Sequence, residues 1–456
     1  SCFHSSHETM LSPYPAYRRL LQIFRAAGDD TPTAARYLSG AYFGDLITWY
    51  HLAWVGEADR RSEPLFARLM TKASGFTHDD RRELFGAIGR IVAGLLGRYR
   101  VLAETGRIEL STTPGTHPIG PLLLDFSAAR DTLADAPLPA SPGYPRGRER
   151  LEWHLRTAVE SHRRRFGREP VGLWPAEGAV SAPFVEALGQ QGLHWTASSE
   201  SVLANSLDPV VRSSGRQWLY RPWRLDGVPG VAMVFRDERL SDQIGFEYSK
   251  WHGLDAASHL IGELERIADA APPGETPLVL IAMDGENAWE YFPYNGYYFF
   301  EELYSALSRH PRIRTRTMTE ALSDPARDRA TLPRLRAGSW VMGTLSTWIG
   351  EPAKNAAWDL LCEAKRVFDE VVDAGLDPAR RALLERQLAA CEGSDWFWWL
   401  GSYNPPLAVE RFDRLFRHNL RRLYEMLDRP VPEPVDRPLA SGGGQAESGG
   451  TMRRAS

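Results

Sequence analysis

The chain has 456 residues, 43% hydrophobic and 25% charged, the balance of a protein that buries a substantial core, so disorder of the whole chain is excluded. A formal charge of −4 and a pI near 6.3 supply no broad basic field, which argues against a nucleic-acid partner and favours a neutral ligand. The length suits one large enzyme domain with an appendage.

No apolar run is long enough to span a bilayer, and SCFHSSHETM lacks the charged and apolar regions of a signal peptide. A cytoplasmic protein that meets no membrane is expected, although the chain does not begin with Met. Residues 14–106 read mainly as helices: DLITWYHLAW and DDRRELFGAIGRIVAGLLGRYRVLAETG place apolar residues three and four apart, the second stopping at Gly106. RIELST reads as a short strand. ADAPLPASPGYPRGRE is a Pro/Gly loop, and RERLEWHLRTAVESHRRRFG is a helix that Gly167 stops. VGLWPAE is a short buried strand, SAPFVEALGQQG a helix that Ser181 can cap, and GLHWTA another strand. VAMVFRD and PLVLIAMD are apolar strand-like runs that each end on an acid, with helices DAASHLIGELERIADAA and YYFFEELYSALSRH between and after them.

Strand alternating with helix predicts parallel βαβ units, and in barrels of such units the active site lies at the C-terminal strand ends. Glu109, Glu177, Asp237 and Asp284 all fall at such ends. From 352 to 427 the pattern is helical, interrupted by SDWFWWLGSYNPP; from 429 the Pro/Gly/Ser-rich remainder predicts a disordered tail. The expected organisation is a catalytic unit over 1–330, a helical region over 331–428 and the tail over 429–456.

Cys2, Cys362 and Cys391 are too scattered for a disulfide framework or a zinc site, and no glycine-rich phosphate loop occurs, so neither metal nor nucleotide chemistry is expected. The 15 Trp and 16 Tyr offer flat faces with a polar edge, suited to sugar rings, or simply fill the core. Cleaving a glycosidic bond with retention needs two carboxyl groups about 5–5.5 Å apart, one attacking the anomeric carbon and one protonating the leaving oxygen. WPAEG sets Glu177 between a Trp-Pro turn and a glycine; MDGEN sets Asp284 after an apolar run and before Gly285. Spacing alone reads either as a catalytic acid or as an ordinary loop acid.

Six ordered blocks, GRIELSTTPGTHPIGPLL, GLWPAEGAVS, FRDERLSDQIGFEY, LIAMDGENAWEYFPYNG, GSWVMGTLSTWIGEPAKNAAW and GSDWFWWLGSYNP, span residues 106–405, and together they resemble glycoside hydrolase family 57, its α-amylase and amylopullulanase-like branch. The resemblance implies an α/β fold, a TIM-like seven-stranded (β/α) barrel with a helical region closing over the active site. It also implies a retaining enzyme acting on α-1,4 bonds of starch, glycogen or maltooligosaccharides, with no cofactor. Glu177 takes the family's nucleophile position and Asp284 its acid/base position. Debranching of α-1,6 bonds and 4-α-glucanotransfer use the same chemistry and stay open, as does the oligomeric state. The family's opening strand with its His-Gln-Pro block is not found here, so a barrel incomplete at the N-terminus is expected, by truncation, and a non-catalytic glycan-binding protein is the rival should that strand be truly absent.

The remaining candidates each carry two readings. His117 hydrogen-bonds sugar hydroxyls or is a turn histidine between prolines. Glu109 orients a neighbour or touches sugar. Arg236 and Asp237 form a charge pair or bind glucose directly, and Glu286 either raises the pKa of Asp284 or is structural. Trp174, Trp289, Trp340 and Trp396 are the stacking candidates, with one or two of them expected in the core. The run from Ser394 to Tyr403 is expected to fold back over the barrel mouth.

Overall fold

The computed structural model describes residues 11–28, 35–285, 289, 292–324 and 329–444. The amino-terminal part is helical: α1 (Pro15–Ala26), α2 (Gly40–Trp54), α3 (Pro64–Lys72) and α4 (His78–Glu104). Thr77 and Asp80 form a reciprocal capping box at the start of α4, which satisfies two of the orphan amides there. These helices bury their own cluster around Tyr17, Trp49, Phe66 and Leu84.

The helix α5 (Gly147–Phe166) ends at Gly167, whose φ of 78° is the left-handed cap the sequence predicts. The strands that follow, β1 (Gly172–Leu173), β2 (Trp195–Ser199), β3 (Trp223–Leu225), β4 (Ala232–Arg236) and β5 (Ala330–Leu332), form one mixed sheet in the order β1-β2-β4-β3-β5. β1, β2 and β4 run parallel, β3 meets β4 antiparallel, and β5 lies parallel to β3. α6 (Ala182–Gln190), α7 (Gly253–Asp269) and α8 (Tyr297–Arg309) pack on this sheet, and Phe184, Leu260 and Phe299 join Leu173, Met233 and Phe235 in one core. Ser181 stands at the N-cap of α6 without a capping side-chain bond, proline filling the first turn instead.

Two expected strands are reduced to bridges. RIELST pairs only at Thr112 with Leu173, and PLVLIAMD only at Leu280 with Arg236. Both flank the parallel β1-β2-β4 run, so its alternating βα order continues as extended chain. β3 and β5 escape the sequence reading because three-residue strands carry no period to detect.

The carboxy-terminal helices α9 (Pro352–Asp373), α10 (Pro378–Cys391), α11 (Ser394–Trp399) and α12 (Pro406–Met426) enclose a third core around Trp348, Trp358, Phe397 and Leu420. The expected tail from 429 is ordered as far as it is described, to Gly444. Val435 is buried in this third core, and Leu439 donates its amide to Asp413 Oδ1 at 3.0 Å. A few apolar residues spaced among prolines suffice there, because proline leaves less chain entropy to lose on docking. Among the described residues no helix is long and apolar enough to cross a membrane.

Candidate active site

Five residues before Glu177, Gly172 lets Trp195 pack directly on the strand, since a Cβ there would lie 1.9 Å from its indole. After Trp174-Pro175 the backbone makes a tight turn in which Glu177 itself is left-handed (φ 56°, ψ 25°). A non-glycine residue in that region costs about 1–3 kcal/mol, so surrounding bonds must hold it. They are visible: Gly178 donates to Pro175 O (2.9 Å), Trp340 N to Glu177 O (3.0 Å), Ser198 Oγ to Gly178 O (2.6 Å), and Val180 and Gly338 exchange two backbone bonds.

This elbow turns the Glu177 side chain onto Trp340, whose indole Nε1 donates to Oε2 at 2.9 Å. Burial pushes the Glu177 carboxyl up to about 7; the Trp340 bond opposes the rise, and the charges of Asp284 and Asp395 add to it. Asp284 is half-buried at the end of the run that pairs with β4. Asp237 N donates to Leu280 O (2.9 Å), Ser241 Oγ accepts from Ala282 N (3.3 Å), and Arg236 Nη1 reaches Ala282 O (3.2 Å), fixing the backbone two residues before Asp284.

The two remaining acids of this strand-end set are held by protein groups. Asp237 is fully buried; Oδ1 caps the following short helix at Leu240 N (2.9 Å), Oδ2 accepts from the Tyr220 hydroxyl (2.9 Å), and Arg216 stands 3.4 Å away. Its carboxylate is enclosed by these partners and pairs with Arg216, where the sequence left a pair with Arg236 and direct glucose binding both open. Arg236 pairs instead with Asp242 (3.4 Å) and lies over the Trp340 ring at 5.1 Å. Glu109 accepts from Trp195 Nε1 and from Thr319 N, both at 2.7 Å. Glu286 lies outside the described residues.

His117 is held by the carboxy-terminal region. Its Nδ1 meets Ser394 Oγ at 2.8 Å, its carbonyl accepts from Ser394 N at 2.9 Å, and Thr116 Oγ1 donates to Ala389 O at 2.7 Å. Burial lowers the His117 pKa, with Asp395 opposing, so the ring is neutral at pH 7. Behind this contact lies a fully buried carboxylate that sequence reasoning missed. Glu392 takes both arms of Arg150 (2.9 and 2.7 Å), His154 Nε2 (2.7 Å) and the Tyr144 hydroxyl (2.5 Å), while His154 Nδ1 binds Gly115 O. Arg150 and His154 hold the Glu392 carboxyl far below the usual carboxylate range against a large burial penalty.

Of the tryptophans, Trp174 and Trp340 meet edge to face at 5.2 Å, with Gly178 fitted against both. Each belongs to a different hollow. One, of about 970 Å³, is lined by His117, Trp153, His162, Trp174 and Arg386; the other, of about 700 Å³, by Arg236, Phe246, Trp340, Met342, Trp398 and Tyr403. Trp289 packs on Phe300 (4.3 Å) and Phe292 (5.4 Å), a core position. Trp396 donates to Ala390 O and turns to Phe412 and Phe416 of α12, so within the aromatic run it is Trp398 and Tyr403 that reach a hollow. Among the described residues no cluster of His, Cys, Asp and Glu could hold a metal ion.

The fold is similar to that of a family 57 branching enzyme from Thermococcus kodakaraensis (17% identity, TM-score 0.60, covering 91% of this chain and 84% of that one). It is also similar to a branching enzyme from Pyrococcus horikoshii (17%, TM-score 0.57, 93% and 91%) and to the α-amylase AmyC from Thermotoga maritima (13%, TM-score 0.56, 94% and 91%). The family model for glycosyl hydrolase family 57 matches residues 17–333, more than half of the sequence, and the chain belongs to that family.

Proposed function

We propose that the chain is a retaining α-glucan-active enzyme with Glu177 as nucleophile and Asp284 as general acid/base. The observation that carries this reading is the Glu177 elbow: a strained left-handed carboxylate, buried against Trp340 and within the electrostatic reach of Asp284. Strain held by several independent bonds clusters at functional positions, and here it motivates the assignment.

In the first step a Glu177 oxygen bonds the anomeric carbon while the glycosidic C–O bond breaks and Asp284 gives its proton to the leaving oxygen. In the second, water or a sugar hydroxyl gives a proton back to Asp284 and displaces Glu177. Attack requires Glu177 ionised, so the acidic limb of kcat/KM should lie near pH 7, with activity lost as pH falls through it. The Trp340 indole helps here by binding the charged form. His117, neutral and tied to Ser394, would face sugar hydroxyls from the other wall.

The bond cleaved is proposed as α-1,4. Transfer to a second glucan is the alternative favoured by the two hollows on either side of the Trp174–Trp340 contact. The decisive experiment follows maltoheptaose turnover by proton NMR: retained anomeric configuration, abolished by Glu177→Gln with binding preserved, is expected. Inverted product, or wild-type rates in that variant, would overturn the assignment.

A further inference from the structure

We propose that a third hollow, on the outer face of α8, is a second α-glucan site that anchors a polysaccharide chain away from the catalytic turn. The proposal rests on the α-glucan reading above and uses neither Glu177 nor Asp284. The hollow measures about 630 Å³, and its floor is one helix face, on which Tyr297, Phe300, Tyr304 and Ser308 follow at intervals of three and four residues. From Tyr297 to Ser308 the helix rises about 16 Å, length enough for a short run of sugar rings. Phe299 and Leu303, on the opposite side of α8, are buried in the sheet core. The hollow shares no lining residue with the two at Trp174 and Trp340, so a chain held here lies outside the cleft they form.

The other wall is Gly56, Glu57 and Ala58, at the start of the short helix Glu57–Ser62, and it is fastened to α8 before any ligand arrives. Glu57 accepts from Arg60 Nε (2.9 Å) and Arg61 Nε (2.8 Å). Arg60 Nη2 in turn donates to Asn295 Oδ1 (3.1 Å), and Arg61 Nη2 to the Tyr298 hydroxyl (2.8 Å), with the Arg61 guanidinium 4.5 Å from the Tyr297 ring centre. Tyr294 and Asn295 are both left-handed (φ 53° and 54°), a strained pair that these bonds hold at the mouth of the hollow. A site held open in this way pays little ordering entropy on binding.

The lining fits a neutral polyhydroxyl ligand. Tyr304 is 60% exposed while stacked on Phe300 (5.4 Å, 14°), and Tyr294 is 37% exposed, so two phenol rings with polar edges are offered to the space. Beside them the Ser305 hydroxyl can donate and accept, and Ser308 Oγ, which gives its proton to Ser305 O at 3.0 Å, can accept. The carboxylates of Glu57 and Glu301 also accept from sugar hydroxyls and turn an anion away. Among the described residues that line the hollow none is Lys, Arg or His, so a phosphate finds no cation there.

The test compares the full chain with Tyr304→Ala and Ala58→Arg, both at exposed positions outside the catalytic cleft. Native electrophoresis through gels of graded glycogen content gives the glycogen Kd, and fluoride release from α-maltotriosyl fluoride gives turnover of a donor too short to bridge both sites. Glycogen presents many chains, so cleft and hollow can engage one particle together, and losing the hollow should raise the glycogen Kd about tenfold in both variants. Turnover of the fluoride should not change. An unchanged glycogen Kd in both variants, or a wild type that glycogen does not retard, overturns the proposal, as does a parallel fall in fluoride turnover, which would make the hollow part of the catalytic cleft. No fluoride release by the wild type would instead sink the Glu177 and Asp284 reading, and the glycogen Kd values would still decide the hollow.

Discussion

Replacing Glu177 by Gln should stabilise the protein at high pH while removing turnover. The folded carboxyl titrates at about 7 against an ordinary 4.5, a difference that corresponds to about 3 kcal/mol. The sign follows from burial: the folded state holds the proton more tightly, so stability contributed by this group is lost as pH rises from 4.5 through 7 and is absent above. Gln keeps the size and can still accept from Trp340 Nε1, so the elbow and its backbone bonds should survive. Urea unfolding of both proteins at pH 4.5 and pH 8 is the assay. The variant should match the wild type at pH 4.5 and exceed it by up to about 3 kcal/mol at pH 8. Equal stability at both pH values, or a variant weaker at pH 8, would refute the idea that Glu177 is a buried charge held at a cost.

Trp340→Phe removes the donor that favours ionised Glu177, so the acidic limb of kcat/KM should move up by about 1–2 pH units, measured on a maltooligosaccharide series. Asp284→Asn should slow cleavage of unactivated maltooligosaccharides far more than of substrates with an activated aryl leaving group; a loss independent of the leaving group would count against its role. Glu392→Ala leaves Arg150 and His154 facing each other without their carboxylate and should cost about 3–5 kcal/mol in urea unfolding at pH 7. In the wild type the support from Glu392 should fade as pH falls below the ordinary carboxylate range, because its folded pKa is depressed.

The blocks around Glu177 and Asp284 were legible because strand, acid and glycine follow one another within a few residues. The form of the elbow was not. Gly178 is left-handed, which glycine adopts freely, and Glu177 is left-handed as well, under bonds from Gly338 and Trp340 that lie more than 150 residues away in sequence. The choice between Trp396 and Trp398 could not be made either, since residues two apart point about 200° apart around a helix and only packing sets the phase of so short a segment. Glu392 carried no local signal at all: it resembles a surface acid after α10 until Arg150, His154 and Tyr144 are brought to it from the other side of the fold. Asp395 stood in view as the acid before the aromatic run, yet its influence on Glu177 and His117 depends on the bond from Ser394 to His117.

Ala176 and Ala179, which flank Glu177, are buried in the same core as Trp358, Phe397 and Leu420 of the carboxy-terminal helices. The turn that carries Glu177 is thus not the property of the sheet from which it emerges. A recombinant joined near residue 330, taking its sheet from one relative and its helices from another, would bring a foreign surface against Ala176 and Ala179 and release the elbow. Shuffling within the family should succeed only when the turn and the helices that pack on it travel together, so the unit of inheritance crosses the boundary that the strand and helix pattern would draw.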